Sequence, residues 1–249
     1  MVPIVAGICT DKTEPRSLAI LENAVWRLLA QSVDEIVLVQ NHKKKPEPHE
    51  FTTSLYLEKS GEYMVATCGN LALDYLEEKY PQDFVLLTLA DDILVSGNYV
   101  DAMTSGLDEG IVRVPCGQFL TWPVREDFED NFEAGFALEE PLKDLRSVTE
   151  NLHRIGDGIY LSGFFSVRWI PALRGTRYDE NYNGHWGYED SDFMLQLMEK
   201  GCELHPCTGG VGWHISTAAL SHDSHLPHHW KVRNNPNFHY FNEKWTGRE

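Results

Sequence analysis

Short apolar runs alternate with amphipathic stretches along the first 115 residues. Pro3 to Cys9 (PIVAGIC) is apolar at nearly every position and predicts a first buried strand. Leu18, Leu21, Val25, Leu28 and Leu29 follow at helical spacing, and Glu35 to Val39 (EIVLV) predicts a second strand. Leu71, Tyr75 and Leu76 mark a second helix that ends near Pro81, and Phe84 to Leu89 (FVLLTL) is a third, fully apolar strand. Repeated βα units of this kind build a mainly parallel sheet flanked by helices. Periodicity then weakens between Arg125 and Glu150, where nine acidic residues meet three basic ones, and this stretch reads as an irregular insertion. Order returns in Gly158 to Val167 (GIYLSGFFSV), read as a strand. A turn-rich stretch follows to Gly187, then a helix from Ser191 to Lys200 with Phe193, Met194, Leu197 and Met198 on its apolar side. Gly201 is placed to stop that helix. The last 35 residues, rich in His, Asn and Pro, read as a loop-dominated tail in which His222, His225, His228 and His229 are either a mobile flap or plain solvated residues.

Composition narrows the possibilities. The chain has 249 residues, 21 Lys plus Arg against 38 Asp plus Glu, and a formal charge of −17, which argues against duplex nucleic acid and anionic membrane surfaces as partners. A hydrophobic fraction of 42% excludes general disorder. The longest apolar run, about seven residues around Phe84 to Ala90, falls well short of the roughly 20 that span a membrane. Neither a spanning helix nor a signal segment is read, and five scattered cysteines (Cys9, Cys68, Cys116, Cys202 and Cys207) fit a reducing compartment, so the expected location is the cytoplasm. Cys202, His205 and Cys207 make at most half a zinc site, since no second pair has ligand spacing.

Two acidic clusters carry the candidate chemistry. Asp91-Asp92 ends a buried strand, the side of an open α/β sheet where ligands bind. Glu189-Asp190-Ser191-Asp192 opens a helix beside Trp186 and Tyr188. Capping and the helix dipole account for acids at a helix start, but not for the flat rings beside them. Carboxylates of the first cluster suit a hard divalent cation on a diphosphate, and the second offers a base.

On these residues the chain resembles the inverting glycosyltransferases of the GT-A fold, family-2-like overall and β-1,4-galactosyltransferase-like in its C-terminal half. Ile4 to Thr10 with Arg16, and Leu29-Ala30-Gln31-Ser32 leading to Val39, are similar to that family's opening strand, helix end and second strand. Cys68-Gly69-Asn70 is similar to its Arg-Asn element, and Leu89-Ala90-Asp91-Asp92-Ile93-Leu94 to its D-x-D-D-I-L pattern, with Leu89 in place of the first Asp. Tyr178-Asp179-Glu180 and Trp186 to Phe193 resemble the block F-D-E … W-G-x-E-D-x-D-F, and Trp213-His214 a later strand whose histidine completes the metal site.

The resemblance implies one α/β GT-A domain over residues 1–249: 1–115 for the nucleotide sugar, 116–215 for the acceptor, 216–249 as tail. It implies a nucleoside-diphosphate sugar as donor, with UDP-sugar as the default, and a hydroxyl-bearing acceptor, a glycan or other small molecule. Asp190 is the implied general base and Glu189 its acidic neighbour. Thr10, Asp11, Arg16, Gln40, Asn41, Asn70, Ala90 and Asp91 are the implied nucleotide-sugar contacts, and Trp186, Gly187 and Tyr188 the acceptor contacts. Manganese or magnesium is expected on Asp91, with Asp92 as the alternative first ligand and His214 as a further one. Two rivals stay open. A nucleotidyltransferase shares the strand-then-carboxylate logic but opens with a Gly-rich phosphate loop, whereas residues 7–16 hold one Gly. A catalytically silent sugar- or nucleotide-binding relative is suggested by Leu89.

Overall fold

The computed structural model describes residues 2–11, 15–59, 63–121, 164–185, 187–216 and 235–246, without the side chains of 15–17, 116–121, 208 and 213–216. The expected acidic insertion, most of the strand expected at Gly158 to Val167, Trp186 and the tail histidines lie outside the described residues. Eight strands form one sheet in the order β3-β2-β1-β4-β7-β6-β8-β5. These are β1 (Ile4–Thr10), β2 (Glu35–His42), β3 (Thr53–Glu58), β4 (Phe84–Ala90), β5 (Ile93–Val95), β6 (Ile111–Thr121), β7 (Ser166–Trp169) and β8 (Glu203–Ser216). Helices α1 (Pro15–Leu29), α2 (Val65–Lys79), α3 (Tyr99–Thr104), α4 (Glu189–Glu199) and α5 (Pro236–Trp245) complete the described elements, with two short 3₁₀ turns at Pro171–Leu173 and Glu180–Tyr182.

Strand pairing is parallel from β3 through β2 and β1 to β4, as expected of βα units. Beyond β4 the sheet is mixed: β7 runs antiparallel to both β4 and β6, β8 parallel to β6, and β5 antiparallel to β8. Because side chains alternate across a strand, each buried strand feeds two cores. Val5, Val37, Val39, Phe84 and Leu86 pack with α2 and α4 on one face. Ala6, Ile8, Ile36, Leu38, Leu87 and Leu89 pack with Leu21, Val25 and Leu28 of α1 and with Tyr99, Val100 and Met103 of α3 on the other. Leu18, expected on the apolar stripe of α1, is 38% exposed.

Several elements go beyond the sequence reading, among them β5, α3 and β6. Strand β3 was not anticipated, and α5 replaces part of the loop-dominated tail with an ordered helix. Helix α4 begins at Glu189, two residues before the expected start. It ends as predicted: Gly201 has φ +92°, its N–H donates to Met198 O at 2.8 Å, and Cys202 N–H donates to Leu197 O at 3.1 Å. This pair of bonds is the Schellman arrangement that glycine permits. No helix among the described residues is long and apolar enough to cross a membrane.

Candidate functional site

The carboxyl ends of β1, β2 and β4 open into a cleft of about 260 Å³. Three apolar strands stop there together, and each ends in or runs into polar residues: Thr10 at the end of β1 with Asp11 after it, Asn41 near the end of β2, and Asp91-Asp92 after β4. The opposite wall consists of Met64, Val65, Cys68 and Gly69 of α2 and its approach, then Tyr178, and finally Glu189 and Asp190 at the start of α4. The two acidic clusters singled out in the sequence therefore line one cleft.

The described lining contains five carboxylates, Asp11, Asp91, Asp92, Glu189 and Asp190, and no Lys, Arg or His. Asp11 pairs at 2.6 Å with Lys59, which stands outside that lining. Asp91 is 8% exposed. Glu189 is equally secluded, and its Oε2 has no hydrogen-bond partner among the described residues. Burial, reinforced by the charge on Asp190, pushes the Glu189 carboxyl up to about 8, so it is mostly protonated at neutral pH. Asn41 likewise presents a buried Oδ1 with no partner among the described residues. On the cleft floor the Cys9 thiol is hydrogen-bonded to Cys68; that bond and burial raise it well above the usual thiol range.

Helix α4 is aimed by its surroundings. Gly187 and Tyr188 both adopt positive φ, +85° and +77°, immediately before it. A non-glycine residue in that region needs outside support. Helix α5 provides it: the Asn237 side-chain nitrogen lies 2.9–3.0 Å from the carbonyl oxygens of Tyr182, His185 and Gly187. The Tyr188 ring rests against Phe238 and Phe241 of the same helix. Asp192, one turn into α4 and fully buried, accepts from Trp245 Nε1 at 2.6 Å, Tyr182 OH at 3.2 Å and Gln196 Nε2 at 2.7 Å, and pairs with Lys244 at 2.7 Å. Lys244 also pairs with Asp179 at 2.7 Å. Burial opposes the charge on Asp179, but Lys244, the Asn181 N–H and the Tyr240 hydroxyl together lower it to about 2.

The predicted residues are thus sorted by place. Thr10, Asp11, Asn41, Ala90, Asp91, Asp92, Glu189 and Asp190 converge on the cleft. Gln40 is not in the described lining, since strand alternation turns it the other way from Asn41. Asn70 is engaged elsewhere: it accepts from Tyr178 N at 2.7 Å and donates to Tyr178 O and Glu180 Oε1 at 3.0 Å, tying α2 to the segment that leads to α4. Gly187 and Tyr188 stand behind the cleft against α5, outside its described lining. Arg16 falls in the first turn of α1 and His214 in β8, both with side chains outside the described residues, as is Trp186 altogether. The backbone of His214 pairs with Ile93, next to Asp92. Sequence reasoning passed over Tyr178 as a lining residue and Asn237, Lys244 and Trp245 as supports. The Asn235-Pro236 pair, a cap followed by proline at a first helical position, is the local signal that reveals α5.

Two buried or half-buried carboxylates at the end of a strand, with a histidine position one residue along the sheet register, suit a hard divalent cation with imidazole beside it. Among the described side chains, no group of three candidate ligands is assembled without it.

No protein-family model matches the chain, and no curated protein sequence does. Solved structures do. S. aureus TarS shares 12% identity over the whole of this chain and 44% of its own, with a TM-score of 0.57. The mannosyltransferase PcManGT from Pyrobaculum calidifontis, solved in complex with GDP-Man and Mn2+, shares 14% identity over 94% of this chain and 61% of its own, with a TM-score of 0.53. The chain therefore spans less than two thirds of the length of either. At such identities the likeness is one of architecture, and the architecture is the α/β GT-A fold of glycosyltransferases.

Proposed function

We propose that the protein is a divalent-cation-dependent inverting glycosyltransferase that moves a sugar from a nucleoside-diphosphate sugar to an acceptor hydroxyl. The observation that carries this reading is the meeting of Asp91 and Asp92 with Glu189 and Asp190 in one cleft at the carboxyl ends of parallel strands. The charge of that cleft supports the cation. With Glu189 protonated, the other four carboxylates, Asp11, Asp91, Asp92 and Asp190, and no basic side chain among its described lining residues would repel a diphosphate that arrived alone. When bound by Asp91, Asp92 and His214, manganese or magnesium supplies the positive charge that stabilises the leaving diphosphate.

Asp190 takes the proton of the acceptor hydroxyl as its oxygen attacks the anomeric carbon on the face opposite the diphosphate, and the configuration inverts. Glu189, protonated at neutral pH, adds no second negative charge beside that base and offers an O–H to the substrate. The unpartnered Asn41 Oδ1 suits a ring N–H of the nucleobase, with uridine as the default and other bases open. Trp186 remains the proposed acceptor contact, with a glycan or other hydroxyl-bearing small molecule as acceptor, while Gly187 and Tyr188, held against α5, set the start of α4.

Thermal unfolding with nucleoside diphosphates and nucleotide sugars, with and without manganese, tests the donor site, because a ligand specific to the folded state raises the midpoint. A metal-dependent rise with one nucleotide is expected. No rise with any of them would favour a silent relative that has lost its donor site. Asp190→Asn should then lower transfer by roughly a hundredfold or more while nucleotide and metal affinity stay put; undiminished turnover would take the base role from Asp190. Asp91→Ala should abolish metal-dependent nucleotide binding, and unchanged binding would move that role to Asp92.

A further inference from the structure

Tyr178 lines the cleft opposite the ends of the strands and brings a hydroxyl to its wall. The ring is tightly held. It lies parallel to Phe193, with centroids 4.1 Å apart and planes at 9°. Gly69 also lies against it, where a Cβ would come within 2.6 Å of Tyr178 Cδ2 and Cε2. Its backbone is pinned at both N–H and C=O by Asn70. A ring fixed this way holds its hydroxyl in one position on the cleft wall.

That hydroxyl has no hydrogen-bond partner among the described residues, although the residue is only 8% exposed. The oxygen is not among the buried polar atoms closed off from solvent, so the hydroxyl is open to the cleft that Tyr178 lines. Burial, followed by the nearby Asp190, Cys9 and Glu189, raises the Tyr178 phenol well above its ordinary value, so it retains its proton and acts as a donor.

The surroundings decide what it donates to. Asp91 and Asp92 lie at the end of β4, where a cation and diphosphate belong, and Asn41 lies at the end of β2, on the base side. Tyr178 sits instead beside Glu189 and Asp190, between the end of β1 and the proposed base. Two acidic side chains with no basic group in the described lining make a poor corner for a phosphate and a good one for a neutral, polyhydroxylated group. We infer that the Tyr178 hydroxyl donates a hydrogen bond to a hydroxyl oxygen of the transferred sugar and thereby selects among donor sugars. This inference rests on the glycosyltransferase reading.

Tyr178→Phe is the test, since it removes one oxygen and keeps the packed ring. The probes are the nucleotide sugar that the wild type turns over, the same sugar deoxygenated or epimerised at each hydroxyl in turn, and the free nucleoside diphosphate. We expect kcat/KM for the natural donor to fall roughly three- to tenfold, the worth of one neutral hydrogen bond. Affinity for the free diphosphate should not change, and the variant should cease to distinguish the natural donor from its analogue at one sugar position only. An unchanged kcat/KM with unchanged discrimination overturns the inference and leaves the enzyme reading standing. An equal loss of affinity for the free diphosphate overturns it too, by assigning the hydroxyl to the nucleotide. If the wild type neither binds nor turns over any nucleotide sugar, both readings fall.

Discussion

Glu189 and Asp192 lie three residues apart at the start of one helix, and the fold treats them in opposite ways. Glu189 faces the cleft with an oxygen that has no partner among the described residues, and its carboxyl is raised to about 8. Asp192 faces away, is wholly buried, and is met by Trp245, Tyr182, Gln196 and Lys244. A buried carboxylate with every lone pair satisfied is architecture, whereas a buried carboxyl left unsatisfied is poised for a ligand. The same contrast holds between the two walls. The cleft wall keeps Asn41 Oδ1, Glu189 Oε2 and the Tyr178 hydroxyl without described partners, while the clamp formed by α5 around Asp179 and Asp192 is densely bonded.

The sharpest way to break this contrast is Asp192→Ala. It leaves the Lys244 ammonium half-buried beside a hole and takes the acceptor from Trp245 and Tyr182, so a loss of roughly 3–5 kcal/mol is expected in urea denaturation. A loss below about 1 kcal/mol would show that the clamp is not what holds α4.

Next in size is a dependence on pH. In chelator-treated protein, Glu189 keeps its proton up to about 8 when folded and releases it near 4.3 when unfolded. The folded chain holds the extra proton across that window, so this group's stabilising contribution is complete below the lower value and is lost as pH rises through the upper one. Glu189→Gln removes the slope. The variant should gain on the wild type by on the order of a few kcal/mol between about pH 5 and pH 8, and parallel profiles would mean that Glu189 is ionised in the folded state.

Gly69→Ala probes the cleft wall. Its new methyl must displace a ring that Phe193 already backs, and about 1–3 kcal/mol should be lost in thermal denaturation. An unchanged midpoint would show that the Tyr178 ring can yield. Smallest is Tyr240→Phe, which deletes the 2.8 Å hydrogen bond to Asp179 and the longer one, 3.3 Å, accepted from Asn181 Nδ2, and should lose about 0.5–1.5 kcal/mol. If it instead matches Asp192→Ala, the clamp is a single cooperative network centred on Asp179.

Much of this was legible in the chain because it is written locally. Apolar runs announced β1, β2 and β4 through burial on both faces, and helical spacing announced α1 and α4. Asp91-Asp92 and Glu189-Asp190 stood out as carboxylates where packing had no use for them. Strand β3 escaped because its residues are half-buried at a sheet edge and carry no strong run. Helix α5 escaped for a different reason. NPNFHYFNEKW buries Asn237, Phe241 and Trp245 but is polar elsewhere, and its main partners, Asp179 and Asp192, are distant in sequence. Nothing in local spacing distinguishes the anchor Asp192 from the neighbouring Asp190. Only the tertiary partners separate them.

The contact between Asp192 and Trp245 spans 53 positions, and it orders events during synthesis. The cradle strands and the whole acidic block leave the ribosome before the residues that neutralise and pin that block. A growing chain therefore passes through a stage in which the N-terminal strands are complete while Asp192 still lacks its cation and indole, and burying it then is unfavourable. Helix α4 should stay protease-sensitive on nascent chains that end before Trp245 and become protected once that residue is available. Competence of the acidic block thus reports that translation has reached α5.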